Sequence, residues 1–425
     1  MPERPLRILF ALVAILLVTL GIGWTLLDRD LRRLALNLPT NADVLFWSQA
    51  QRDAAFRALD RLPFLAIARP IPNGSSVLPL PPGEPIRLAV DIAAYMTSQR
   101  TAALLIVHDG KVRLERYGLD FDASGRWTSF SVAKSLTSTL VGAAIKDGYI
   151  RDVNDKVAAY IPGLAGSAYE DVTIAQLLTM TSGVRWNEDY SDRNSDVARF
   201  NRHKPDPGLD TTVSYMRRLP REAPAGSKWL YKTGETNLIG VLVSSATGRQ
   251  LSGYLSEKIW VPFGMEQQAT WILGSTGHEI SGCCLQAATR DFARIGLFML
   301  GGGVAAGKLV LPDGWIGRAT TRQANIGIAG EGYGYQWWTY DDGSYLAQGI
   351  FGQGLFIDPR RRLVIASNGN WPRANDPQGA ARERLDFHRT VQLAIDAEGA
   401  GATARPADGG REAPPDQNRT AGHRR

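Results

Sequence analysis

The sequence predicts an α+β fold: an antiparallel sheet drawn from both ends of the folded region and flanked by helices, with a mostly helical lobe inserted between the two halves. Three features point to it. Strand-like runs at residues 102–108 and 111–117 are joined by Asp109-Gly110, a pair that favours a tight hairpin turn. Four further runs, at 333–340, 345–350, 354–357 and 363–367, crowd toward the far end of the chain. Between these groups, as far as about residue 300, helical apolar spacing alternates with loops.

The elements follow in order. Residues 8–27 form an uninterrupted uncharged run that, as a helix, spans about 30 Å, the thickness of a bilayer core. No small-residue cleavage pattern follows it, so residues 1–33 read as an uncleaved single-span anchor with its flanks, a cleaved signal peptide being the alternative. Arg4 and Arg7 precede the span and Arg29, Arg32 and Arg33 follow it, which leaves orientation open. Residues 34–85 read as a linker or pre-domain segment, because 70–85 is too rich in proline and glycine for a helix or a central strand. The folded domain is expected over 86–397. It begins with a helix at 87–98, carries a second helix at 131–146 stopped by Asp147-Gly148, and closes with a helix at 380–397. Residues 398–425 hold too little apolar content to pack and read as a disordered tail.

Composition narrows the function. With 425 residues, 44% hydrophobic and 21% charged, the chain is neither disordered nor a small disulfide scaffold. Its net charge of +6 comes from scattered arginines with no basic run, so nucleic acid is not an expected partner. The two cysteines, Cys283 and Cys284, are neighbours. Adjacent Cα atoms lie about 3.8 Å apart, below the usual disulfide span, and no metal-ligand spacing surrounds them. They are expected as two small apolar side chains near a strand end. There is no G-x-S-x-G elbow, no H-E-x-x-H and no phosphate-binding loop, and the five histidines are widely spread. No metal or cofactor is implied.

Ser131-Val132-Ala133-Lys134 is the motif that carries chemistry. The serine stands where an extended stretch meets a helix, so Lys134, one turn on, shares its face. The helix start supplies free N–H groups and a positive dipole end, which favour an oxyanion and disfavour an ammonium. A neutral lysine beside a serine hydroxyl is an activated nucleophile pair. Among the aromatics, Trp337 and Trp338 should point to opposite faces, one into the core and one toward the cleft. Trp186 and Trp371 are candidates for an apolar pocket, and His108 reads as a satisfied strand histidine.

Further motifs follow at set distances: residues 173–183 (TIAQLLTMTSG), Pro224-Ala225-Gly226 leading into Tyr231-Lys232-Thr233, and Leu238-Ile239-Gly240. Together with Ser131 to Lys134 they resemble the penicillin-recognising serine hydrolases over residues 85–397. Residues 183–190 (GVRWNEDY) and 349–353 (GIFGQ) resemble the 6-aminohexanoate-dimer hydrolase branch in particular. The resemblance implies a β-lactamase/transpeptidase-like fold, Ser131 as nucleophile, Lys134 as general base and Tyr231 as proton shuttle to the leaving group. It implies an oxyanion hole from the N–H groups of Ser131 and Ile350, and substrate contacts from Tyr190, Trp186, Thr233 and Gly349.

Two departures bear on substrate. Thr233 stands where the second box usually has asparagine, and Ala347-Gln348-Gly349 stands where K-T-G or H-x-G is usual. Loss of that cation should cost a charge-assisted hydrogen bond to a substrate carboxylate, on the order of 1.5–3 kcal/mol. A small neutral ester or linear amide is therefore the expected substrate, with little turnover of β-lactams. The alternatives are a β-lactamase or DD-peptidase and, outside enzymes, a membrane-tethered sensor domain that has lost turnover. The membrane is the expected partner of the N-terminal helix, with the inner membrane as its site, and the resemblance to a family of exported enzymes implies a periplasmic catalytic domain.

Overall fold

The structure is a computed structural model and describes residues 3–62 and 65–403. Helix α1 (Glu3–Leu26) contains the apolar run, and Leu6–Leu26 is exposed throughout, long and apolar enough to cross a membrane. Asp28 caps the next helix, α2 (Arg29–Leu36), by accepting from the Leu31 N–H. Ser48 and Gln51 form a reciprocal capping box that starts α3 (Gln49–Ala55).

The segment expected as linker is packed onto the domain instead. Leu34, Trp47, Ala55, Leu59 and Leu62 are buried in one cluster with Ile272 and Cys284. Strand β1 (Ala68–Ile71) adds to a sheet of the body, and Ile71 belongs to the main core. The prolines of 70–85 do exclude a helix, but an extended backbone keeps its carbonyls free to accept. Pro81 O takes the Val112 N–H at 2.8 Å and Gly83 N–H donates to Val112 O at 2.8 Å, so the segment covers a sheet edge.

The next helix, α4 (Ile92–Ser98), starts later than its apolar spacing suggests because Asp91 accepts from Ala93 and Ala94 N–H and fixes the N-cap. The hairpin of β2 (Thr101–His108) and β3 (Lys111–Tyr117) turns at Asp109 and Gly110, whose φ of 49° and 73° are those of the expected tight turn. After β4 (Trp127–Thr128) comes α5 (Val132–Lys146), buried on almost every face. Its hydroxyls are spent on backbone acceptors: Ser135 Oγ donates to Gln336 O and Ser138 Oγ to Tyr335 O, both at 2.6 Å. Gly142 lets α5 meet the ring of Trp315, where a Cβ would lie 2.6 Å from Cε2.

The inserted lobe comprises α6 (Ile174–Leu178), α7 (Asp196–Phe200), α8 (Thr211–Met216), α9 (Thr233–Thr247) and α10 (Leu251–Leu255). It also holds two strands that sequence patterning missed, β5 (Ala269–Ile272) and β6 (Leu285–Ala287). At four and three residues, all buried, they are too short to display an alternation. They complete a four-stranded sheet of order β1-β5-β6-β4.

Helix α11 (Thr289–Leu300), a small hairpin of β7 (Val304–Ala305) and β8 (Lys308–Leu309), and α12 (Trp315–Thr320) lead back to the main sheet. The run 333–340 is not one strand. It divides into β9 (Glu331–Tyr333) and β10 (Trp338–Tyr340), because Gln336 (φ 64°) buckles inward to bond Leu177 O, Leu178 O and Thr236 Oγ1. Strands β11 (Tyr345–Gly349), β12 (Gln353–Asp358) and β13 (Leu363–Gly369) follow, then α13 (Ala380–Thr403). The seven-stranded antiparallel sheet has order β3-β2-β13-β12-β11-β10-β9, so strands from the two chain ends meet at β2 and β13 as expected. The chain is helical to Thr403, and the rest of the tail expected to be disordered lies outside the described residues.

Candidate active site

Serine 131 is positioned by a sharp change of backbone. Thr128 and Ser129 are held extended by bonds to Phe56 O and Leu285 O. Phe130 then takes φ 39°, a left-handed conformation that a bulky residue keeps only when its surroundings enforce it. Its ring is wedged between Phe56 at 4.9 Å and Phe351 at 5.5 Å. Ser131 follows as N-cap of α5 with no side-chain capping bond, so its hydroxyl is free for other work.

Lys134, one turn on, donates from Nζ to Ser131 Oγ at 3.0 Å and to Gly282 O at 2.7 Å. Burial pushes its ammonium pKa down to about 8, against the opposing pull of the negative Glu188. Tyr231 lines the cleft beside Ser131, which slightly opposes the rise of its phenol pKa, and its ring lies 5.3 Å from Lys134 Nζ. Tyr231 stacks on Trp338 with centroids 5.7 Å apart. Burial first, and Glu188 second, hold its phenol protonated far above the usual range. Lys134 thus touches both of the other side chains named from the sequence.

Gly349 ends β11 against the serine. A Cβ there would lie 2.7 Å from Ser129 O and 2.9 Å from Ser131 N, so only glycine allows this approach. The adjoining Ile350 lines the same cleft, whose volume is about 1030 Å³. Ser131, at a helix start, and Ile350, just past a strand end, thus line the cleft together.

Glu188 was not singled out by sequence. It accepts from Tyr190 Oη at 2.8 Å and Thr233 N at 2.9 Å, and also from Thr233 Oγ1 and Trp186 Nε1. The signal was there: one carboxylate between two aromatic donors at alternate positions, Trp186, Glu188 and Tyr190. Tyr190 and Gly349 line the cleft as expected, whereas Trp186 and Thr233 do not. Trp186 is buried beside Tyr215 and, like Thr233, turns its donor to Glu188. Both stand behind the carboxylate and not on the cleft wall. Trp338 and Trp371 line the cleft and Trp337 is core, while His108 pairs with Arg113 at 2.9 Å.

Cys283 and Cys284 are joined to each other, contrary to the expectation of two separate thiols. The chain turns at Cys284 (φ 71°), which lets adjacent sulfurs meet, directly after the Gly282 carbonyl that holds Lys134. The N-terminal segment also reaches the site: Leu45 and Phe46 form part of the cleft wall. Among the described residues no group of three His, Cys, Asp or Glu is placed to hold a metal.

Comparison with known proteins bears on the family and the fold. The Beta-lactamase family model matches residues 89–389. The 6-aminohexanoate-dimer hydrolase of Paenarthrobacter ureafaciens is 30% identical over 351 residues, 77% of this chain and 87% of that protein. Among solved structures, a putative 6-aminohexanoate-dimer hydrolase from Bacillus anthracis superposes with TM-score 0.71 at 21% identity, covering 82% of this chain and 95% of that one. A family VIII carboxylesterase gives TM-score 0.54 at 17% identity, covering 73% and 100%.

Proposed function

The chain belongs to the Beta-lactamase family of serine hydrolases, with amidase and esterase relatives, and from that premise we propose that it cleaves esters or short linear amides through an acyl-enzyme at Ser131. The observation that carries this reading is the 3.0 Å contact of Lys134 Nζ with Ser131 Oγ, with the Tyr231 ring 5.3 Å from the same Nζ.

The chemistry follows from the geometry. Neutral Lys134 takes the Ser131 proton as Oγ attacks the carbonyl carbon. The oxyanion is met by the N–H groups of Ser131 and Ile350, each such donor typically contributing about 3 kcal/mol. Tyr231, kept protonated by burial, passes a proton to the leaving alkoxide or amine and recovers one from Lys134. Water then attacks the acyl-enzyme with the same base accepting its proton. Leu6–Leu26 serves as a membrane anchor in this reading, with the domain on the periplasmic side. The Cys283–Cys284 disulfide supports an oxidising compartment.

The test compares the full-length protein with Ser131→Ala on a p-nitrophenyl ester, a linear amide dimer and a chromogenic cephalosporin. Serine-dependent turnover of ester or amide supports the proposal. Rapid cephalosporin turnover moves the protein to the β-lactamases, and absence of fluorophosphonate labelling at Ser131 removes the assignment altogether.

A further inference from the structure

We propose that the Cys283–Cys284 disulfide is a thiol–disulfide exchange site that positions Lys134, so that the enzyme works at full rate with the bond closed and is slowed when a dithiol reductant opens it. The inference rests on the serine hydrolase reading and adds a control to the same site.

The residues on either side of the pair each hold one half of the nucleophilic machinery. Gly282 O, before it, accepts from Lys134 Nζ at 2.7 Å. Leu285, after it, exchanges hydrogen bonds with Ser129, two residues short of Ser131. Ser129 N–H donates to Leu285 O at 2.8 Å, and Leu285 N–H donates to Ser129 Oγ at 3.0 Å. The Gly282 carbonyl lies in the peptide plane it shares with the Cys283 N–H. A rotation of the backbone at Cys283 therefore turns that carbonyl relative to Lys134. Gly282 has no slack to absorb such a turn: its N–H donates to Asn237 Oδ1 at 2.7 Å, and a Cβ on it would lie 3.0 Å from Thr233 Cγ2.

Between these two grips the chain reverses at Cys284, whose φ of 71° is left-handed. A residue other than glycine keeps that conformation only when its surroundings enforce it. The covalent bond to its neighbour is such a restraint, and opening it frees Cys284 to leave the left-handed region.

Stability does not account for the bond. A disulfide stabilises a fold chiefly by closing a loop of the unfolded chain, more so for longer loops, and this one joins residues with a sequence separation of 1. Its place between Lys134 and Ser129 is what sets it apart. Because the two cysteines are neighbours, the opened thiols stay within reach of each other and can close again without unfolding.

Access is from one side. Cys284 is 8% exposed and packs with Leu34, Trp47, Leu59 and Leu62, whereas Cys283 is half-buried. A thiolate of the dithiol attacks Cys283 Sγ, the S–S bond breaks, and its electron pair leaves on Cys284 Sγ, which takes up a proton. The second thiol of the reductant then displaces Cys283 from the mixed disulfide. In sum two electrons and two protons pass from the dithiol, which becomes a disulfide, to the cysteine pair. Closure is the reverse exchange with a disulfide oxidant. The enzyme is thereby slowed where dithiols keep cysteines reduced and released where they are oxidised.

The experiment measures kcat and KM of the full-length protein in detergent for p-nitrophenyl acetate, before and after dithiothreitol and again after oxidised glutathione, with Ser131→Ala as the blank. Iodoacetamide trapping and intact mass report the state of the pair, and these are the two cysteines of the chain, so a dithiol has no other disulfide to act on. We expect opening to lower kcat by roughly 10- to 100-fold, the cost of a small displacement of a catalytic group, and oxidised glutathione to restore it. KM should stay within about threefold, fluorophosphonate labelling of Ser131 should slow with kcat, and the Tm should move by no more than a few degrees. Cys283→Ala/Cys284→Ala should match the opened wild type and ignore dithiothreitol. An opened pair with unchanged kcat overturns the inference, as does a pair that dithiothreitol cannot open in the folded protein. Loss of the cooperative thermal transition on opening makes the bond a structural staple and overturns it too. Absence of serine-dependent turnover with the bond closed overturns the serine hydrolase reading, a result distinct from each of these.

Discussion

Lys134 Nζ lies 3.0 Å from Ser131 Oγ, with the Gly282 carbonyl 2.7 Å away and no carboxylate in salt-bridge contact among the described residues. An amine so placed, with its pKa pushed down to about 8 by burial, is protonated below that pH and neutral above it. Only the neutral form can take the serine proton. We therefore expect kcat/KM to rise with pH through about 8 and then level off. Lys134→Met should remove that limb and lower the rate by about 10²–10⁴. A flat pH–rate profile for the wild type across this range would remove Lys134 from the role of base.

Glu188 should shift that limb. Its negative charge raises the Lys134 pKa while burial lowers it, so neutralising the carboxylate leaves burial less opposed. Glu188→Gln, which keeps hydrogen-bonding capacity toward Tyr190 and Thr233, should move the acid limb to lower pH. A limb that stays in place would mean Glu188 orders the loop without setting the charge of Lys134.

Tyr231 should separate amides from esters. Its phenol is held protonated by burial and stands on the cleft wall with Ser131. An amine must be protonated to leave, whereas p-nitrophenolate leaves unaided. Tyr231→Phe should therefore cost linear amide turnover about 10²–10⁴ and ester turnover much less. Equal losses on both substrates, measured as kcat, would place Tyr231 in the attack step instead.

What could be read from sequence was what is local in it. The Ser131–Lys134 pair is one helical turn, and the β2–β3 hairpin is set by Asp109-Gly110, so spacing alone exposes both. The resemblance located Tyr231 and Gly349. Contacts made across the chain were invisible. Arg384 reaches Gln348 over 36 residues, and Thr233 reaches Glu188 over 45. The turn inside 333–340 escaped because Gln336 is held by α5, α6 and α9, none of which its own sequence describes. The N-terminal segment was misread for a related reason: its prolines exclude a helix, but they prevent neither the edge strand β1, which contains Pro70, nor burial of the side chains before it.

That misreading yields the last prediction, which concerns the domain boundary. Residues 29–71 place Leu34, Trp47, Phe56, Leu59, Leu62 and Ile71 in the interior, each less than 9% exposed. At roughly 1.5–3 kcal/mol per buried large side chain, their removal costs an amount comparable with the whole 5–15 kcal/mol that typically holds a domain together. It also strips β1 from the edge of β5 and leaves that edge open to other chains. The same segment supports the cleft, since Arg52 bonds Asn370 Oδ1 at 2.9 Å and Pro372 O at 3.0 Å. A fragment of residues 28–403, which keeps Asp28 on Arg61 and Arg29 on Asp122, should be monomeric and active without detergent. A fragment of residues 86–403 should aggregate and show no cooperative thermal transition. Size-exclusion chromatography and calorimetry on the pair decide it: if the shorter fragment unfolds cooperatively and turns over ester at the rate of the longer one, residues 28–85 are an accessory, and the active domain starts where proline and glycine in the sequence first suggested.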